Sequence, residues 1–91
     1  MRKHNITIEY CTQCLWMFRA VWMGQELLTT FSDEISEFTL KPGTGGVYNI
    51  FVNDQLIFSR KEKNRFPEIT ELKKLVRDIV APVKNLGHSE K

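Results

Sequence analysis

The sequence predicts an α/β domain built on a four-stranded mixed β-sheet with one helix on each face, in the order strand, helix, strand, strand, strand, helix. Three observations predict it. A short alternating segment, Asn5 to Tyr10, runs directly into a long apolar-rich stretch without proline, Cys14 to Phe31. Two strand-like runs, Val47 to Val52 and Gln55 to Ser59, are separated only by Asn53-Asp54. A last segment opened by Pro67-Glu68 places apolar side chains at helical spacing.

Asn5-Ile6-Thr7-Ile8-Glu9-Tyr10 alternates polar and apolar side chains and is rich in β-branched residues, the pattern of a strand with one buried face. From Cys14 to Phe31 the density of apolar residues is too high for an exposed strand, and a helix of about four turns is expected. Its first half is apolar nearly all round, which implies burial on two sides or an exposed apolar patch near the cysteines. Ser32-Asp33 breaks the pattern, Ile35 to Leu40 reads as a second strand, and Lys41-Pro42-Gly43-Thr44-Gly45-Gly46 as a loop. Asn53-Asp54 suits a two-residue type I′ hairpin turn, pairing Val52 with Gln55, Phe51 with Leu56, Ile50 with Ile57 and Asn49 with Phe58. That register puts apolar side chains on both sheet faces. Arg60 to Arg65 reads as a charged connector, with the steering of an acidic partner or of glutathione carboxylates as the alternative. In the final helix, with Pro67 near its first position, Ile69, Leu72, Val76, Ile79 and Val83 share a face before Pro82 stops it. A strand-helix-strand start favours a parallel first pair, to which the hairpin adds antiparallel strands, giving a minimal thioredoxin-like architecture. A ferredoxin-like fold needs another element order.

The chain has 91 residues, room for one core, so a single domain over 1–91 is expected, with its core at about 5–83 and a frayed tail over 84–91. A composition that is 42% hydrophobic and 26% charged excludes a disordered or low-complexity chain. The net charge of +2 falls short of the basic balance of a nucleic-acid binder, and no run of about 18 apolar residues is present to span a membrane. A cytoplasmic protein that engages neither nucleic acid nor membrane is the expectation. Two cysteines are too few for a secreted disulfide framework.

Cys11 and Cys14 form one C-x-x-C unit, Tyr10-Cys11-Thr12-Gln13-Cys14, at a strand-to-helix junction. Orphan N–H groups and the helix dipole favour a thiolate there, and two intervening residues let the sulfurs meet, so the pair suits thiol-disulfide exchange. Two other readings compete: a buried apolar pair, and half of a zinc site. The zinc reading needs two more ligands, yet His4 and His88 are remote in sequence, so no metal and no bound cofactor are expected.

Several motifs in order carry a resemblance: Cys11-Thr12-Gln13-Cys14 with Trp16, Trp22-Met23-Gly24-Gln25-Glu26-Leu27-Leu28, Lys41-Pro42-Gly43-Thr44-Gly45-Gly46-Val47-Tyr48, and Ser59-Arg60-Lys61-Glu62 leading into Phe66-Pro67-Glu68. Together they resemble the selenoprotein W/T/H-related (Rdx-type) family, in its bacterial cysteine-containing branch, over about residues 5–83. The resemblance implies a thioredoxin-like fold and a thiol redox role directed at glutathione or protein thiols. It also implies Cys14 as the reactive position, where selenoprotein members carry selenocysteine, whereas thioredoxin logic implies Cys11. The strand-to-helix corner, taken as exposed, also favours Cys11. The catalytic assignment is therefore to the pair.

In a thioredoxin-like sheet the loop before the third strand lies beside the redox pair. Thioredoxins carry a cis proline there; here Gly46 and Val47 take its place. Thr12, Gln13, Trp16, Gly45, Gly46 and Val47 are the candidate substrate- or partner-binding residues. The glycine loop fits no phosphate-binding fingerprint, since it enters a strand. Trp16, Phe18, Trp22 and Met23 divide between an apolar rim and the core, and at least one tryptophan should be partly exposed. The apolar helix end offers a surface to a partner protein or a second copy of the chain. A thiol-disulfide oxidoreductase and a non-catalytic interaction or redox-sensing module are the two functions this pattern supports.

Overall fold

The computed structural model describes residues 2–87. Its elements are β1 (His4–Cys11), α1 (Met17–Thr30), β2 (Ile35–Gly43), β3 (Tyr48–Val52), β4 (Gln55–Ser59), α2 (Arg60–Lys63) and α3 (Ile69–Val80). The strands form one sheet in the order β2-β1-β3-β4, with β1 parallel to β2 and antiparallel to β3. The mixed sheet and the thioredoxin-like plan follow from the expected element order.

Alternation along β1 sends Ile6, Ile8 and Tyr10 to one face, where they lie opposite Val52, Ile50 and Tyr48 of β3, all buried. Ala20, Met23 and Leu27 of α1 and Leu72, Val76 and Val80 of α3 join the same core. Each such large apolar side chain, fully buried, contributes about 1.5–3 kcal/mol of transfer free energy. The two long helices also touch each other, with Lys73 Nζ of α3 3.0 Å from Glu26 Oε1 of α1. They therefore share one sheet face, which corrects the expectation of one helix on each face. Register explains the difference: the opposite face carries Thr7, Glu9, Thr39, Lys41 and Asn49, with Phe51 and the exposed Leu56 as its main apolar groups. That is too little apolar surface to hold a helix.

A bulge between Ile50 and Phe51 shifts the hairpin, so that Phe58 faces Ile50 and Ser59 faces Asn49. The simple register expected from the turn holds only for Val52–Gln55 and Phe51–Leu56. The bulge turns Phe58 into the core. The turn itself is as expected, with Asn53 and Asp54 both at positive φ.

Three boundaries also differ. α1 starts at Met17 and not at Cys14, because Leu15 adopts φ +60°, outside the helical region. β2 continues through Lys41-Pro42-Gly43, pairing Pro42 with Tyr10; proline is tolerated because β2 is an edge strand. The charged connector contains one helical turn, α2, closed by Asn64 at φ +59°.

Pro67 lies one residue before the N-cap of α3, which is Glu68. Glu68 and Glu71 form a reciprocal capping box, and Arg65 grips Glu71 through two 2.8 Å bonds. Val83 leaves the apolar face and is 98% exposed, because Ala81 caps the helix just before Pro82. The segment expected as a tail is partly docked: Arg77 donates to the Lys84 carbonyl, Lys84 Nζ reaches Glu34, and Leu86 packs on the core.

Candidate functional site

Cys11 is the last residue of β1, and its N–H donates to the Val47 carbonyl at 2.8 Å. The Thr12 N–H and hydroxyl both donate to the Gly43 carbonyl, at 3.0 and 3.2 Å. These bonds tie the C-x-x-C turn to the end of β2 and to the start of β3, so the glycine loop is held beside the cysteines. Cys14 Sγ lies 2.7 Å from Cys11 Sγ and donates to it. An S–S bond needs about 2.05 Å, so closing the disulfide requires little motion.

The two thiols are driven apart in acidity. Cys11 is pulled below the ordinary thiol value, first by the Cys14 thiol donating to it and then by the backbone N–H groups of Gly46, Cys14 and Gln13, against the opposing effect of burial. Cys14 is pushed up, because its proton is held by Cys11 and because burial and the neighbouring thiolate oppose its ionisation; the Gly46 N–H and Arg60 pull the other way. Since α1 begins only at Met17, the amides that favour the thiolate come from the turn and the glycine loop. They replace the helix-end donors that the sequence suggested. Gly45 and Gly46 both have φ above +70°, a conformation that glycine adopts freely and that brings the Gly46 N–H to the sulfurs.

Exposure also differs from the sequence expectation. Cys11, taken to sit at an exposed corner, is 1% exposed, because the turn and the glycine loop close over it. Cys14 is the half-buried one. Thr12 and Gln13 are exposed on the turn, and Gly45, Gly46 and Val47 adjoin the pair.

Trp16 acts as a support. It packs edge-on against Phe66 (4.8 Å between centroids) and Tyr48 (6.2 Å), and these two meet at 5.1 Å. Arg19 stacks on Phe66, and Arg60 lies over both Trp16 and Phe66. Of the remaining rim candidates, Met23 is core, where Tyr48 Oη donates to its sulfur at 3.2 Å, while Phe18 and Trp22 face solvent. Sequence reasoning did not single out Leu15 or Arg60. Leu15 falls within the stretch read as helix, and Arg60 within a charge run and the Ser59-Arg60-Lys61-Glu62 motif, neither of which marks it as a neighbour of the cysteines.

Among the described residues no group of three or more His, Cys, Asp or Glu could hold a metal ion. His4, one of the remote zinc candidates, has Nδ1 2.8 Å from Asn53 Nδ2; His88 lies outside the described residues. Among the described residues no helix is long and apolar enough to cross a membrane.

The model of the Rdx family matches residues 5–78 of this chain. The chain belongs to the Rdx family. A selenoprotein W-related protein from Vibrio cholerae has a similar crystal structure, with 49% identity and a TM-score of 0.84, over 87% of this chain and 99% of that one. A protein from Bordetella parapertussis is similar at 49% identity and a TM-score of 0.80, over 82% and 95% of the two chains. No curated protein matches the sequence. The Rdx resemblance read from the cysteine, glycine-loop and Phe66-Pro67-Glu68 motifs is therefore the family relationship itself.

Proposed function

We propose that this Rdx protein is a thiol-disulfide exchange protein in which Cys11 and Cys14 cycle between dithiol and disulfide. In the reducing direction one sulfur attacks a substrate disulfide as thiolate, forming a mixed disulfide and expelling one substrate thiolate. The second sulfur then displaces the other. The substrate disulfide gains two electrons and two protons, and the protein loses both of its thiol protons as its own S–S bond forms. The observation that carries this reading is the 2.7 Å approach of the two sulfurs, with the Gly46, Gln13 and Cys14 amides favouring charge on Cys11. The substrates are disulfides formed by glutathione or by protein thiols, and a reducing compartment such as the cytoplasm would keep the dithiol form available.

A second reading, a redox-sensing interaction module, draws on the solvent-facing apolar end of α1, where Leu15 is 83% and Phe18 79% exposed. That surface would receive a partner protein or a second copy of the chain. Turnover separates the two readings: an exchange protein reduces many equivalents of disulfide when its thiols are regenerated, a sensor only one. The primary test is equilibration in graded glutathione buffers with thiol counting. The proposal requires one reversible two-electron transition between about −200 and −280 mV. It fails if no Cys11–Cys14 disulfide forms in fully oxidised buffer.

A further inference from the structure

Two walls of unlike character are built from residues that flank the C-x-x-C turn and the glycine loop bonded to it. On the α1 side, Tyr10, Thr12, Leu15, Met17 and Phe18 line a hollow of about 170 Å³. This volume suits one aliphatic side chain. Leu15 is kept at φ +60° with its side chain in solvent, a conformation that costs a non-glycine residue about 1 kcal/mol or more. An exposed leucine in that conformation beside a reactive pair contributes nothing to the core, so its role lies at the surface. On the glycine-loop side the wall is cationic. Lys61 Nζ lies 3.9 Å from where a side chain on Gly45 would begin, and Arg60 acts electrostatically on Cys14. Neither cation has an acidic partner among the described residues, and the Arg60 Nε is buried without a hydrogen-bond acceptor.

Resting on the thiol-exchange reading above, we infer that the substrate is an extended protein segment whose reacting cysteine has an aliphatic residue on one side and an acidic residue on the other. The aliphatic side chain enters the Tyr10–Leu15–Phe18 hollow, and the carboxylate settles on Lys61 and Arg60. Charge complementarity selects the acid, because the cationic wall has no acidic partner among the described residues; the apolar lining of the hollow selects a peptide that carries an aliphatic side chain over glutathione, which has none. The exchange step is unchanged: a protein thiolate attacks the peptide sulfur, the S–S bond to the leaving group breaks, and that group departs as thiolate.

The test uses peptides bearing one central cysteine as a mixed disulfide with a chromogenic thiolate, flanked by Leu and Asp in both orders, by Leu and Lys, or by Ser and Asp. Release is followed with the reduced full chain. One Leu/Asp order should react roughly tenfold faster than Leu/Lys at low salt, since exchanging an attraction for a repulsion across about 5 Å of water changes a rate by about that factor. At 1 M salt the ratio should fall to within about twofold. Lys61→Glu should reverse the Asp-over-Lys preference, and Phe18→Ser should remove the Leu-over-Ser preference; both sites are exposed, so the fold is retained, as circular dichroism would verify. Equal rates across all peptides, or a charge preference unmoved by Lys61→Glu and by salt, would overturn the inference while leaving thiol exchange intact. Absence of release from every peptide, with no Cys11–Cys14 disulfide formed, would remove both.

Discussion

Replacing Gly24 by alanine tests how α1 is seated on the sheet. Gly24 sits in the middle of α1 and is buried. A Cβ there would lie 2.3 Å from both Cε2 and Cζ of Phe38 on β2, and 2.8 Å from Cε1. Carbon atoms in contact settle at about 3.5–4.0 Å, so either the ring or the helix must move by roughly 1 Å or more. Overpacking of this kind costs about 1–3 kcal/mol, while the greater helix propensity of alanine returns about 1 kcal/mol. The net expectation for Gly24→Ala is a loss of about 1 kcal/mol, a fall in Tm of about 4–8 °C for a domain of this size. Thermal and urea unfolding would be measured for the wild type, Gly24→Ala, Phe38→Leu and the double variant. In the Phe38→Leu background the ring is gone, so the same alanine should become neutral or stabilising by up to about 1 kcal/mol. A higher Tm for Gly24→Ala in the wild-type background would refute the argument, because it would mean that Phe38 swings aside freely and that α1 is not held by this contact.

Access and charge point to different sulfurs, and access should decide which one forms the mixed disulfide: Cys11→Ser should trap substrate on the half-buried Cys14, whereas Cys14→Ser should trap little on the 1%-exposed Cys11. Mass spectrometry of trapped adducts checks this, and the reverse pattern would show that the turn opens before reaction. The pH profile of iodoacetamide labelling at Cys11, mapped by peptide, should have a midpoint below the ordinary thiol value of about 8.5. In Cys14→Ala the midpoint should rise, since the leading cause of the shift is lost while the Gly46 and Gln13 amides remain; an unmoved midpoint would assign the effect to the amides. Arg65, bonded twice to Glu71, holds that carboxyl below its ordinary pKa, so its contribution is complete above the unfolded value of about 4.3 and is lost as pH falls through the lower folded one. The urea-stability gap between wild type and Glu71→Gln should therefore close as pH drops below about 4, and a gap constant from pH 7 to 3 would deny the pair any role.

The sequence by itself determined the order of the four strands and two long helices, the mixed sheet, the hairpin at Asn53-Asp54 and the pairing of Cys11 with Cys14 in one C-x-x-C turn. Each of these depends on neighbours along the chain: the alternation of Asn5 to Tyr10, two turn residues that accept positive φ, and a C-x-x-C spacing after a strand. Family membership was legible for the same reason, as ordered local motifs. Tertiary structure decided what depends on residues far apart. The Ile50/Phe51 bulge brings Phe58 opposite Ile50 in the core, and the cross-strand register gathers Thr7, Glu9, Thr39, Lys41 and Asn49 on the other sheet face, so that both long helices pack on the apolar one. The positive φ of Leu15 delays α1 and takes the cysteines out of it, a choice that helix-forming residues on either side concealed. The exposure of the two sulfurs was also beyond the sequence. It follows from the bonds of Cys11 and Thr12 to Val47 and Gly43, more than thirty residues away, and closing that turn over Cys11 leaves Cys14 as the sulfur that reaches solvent.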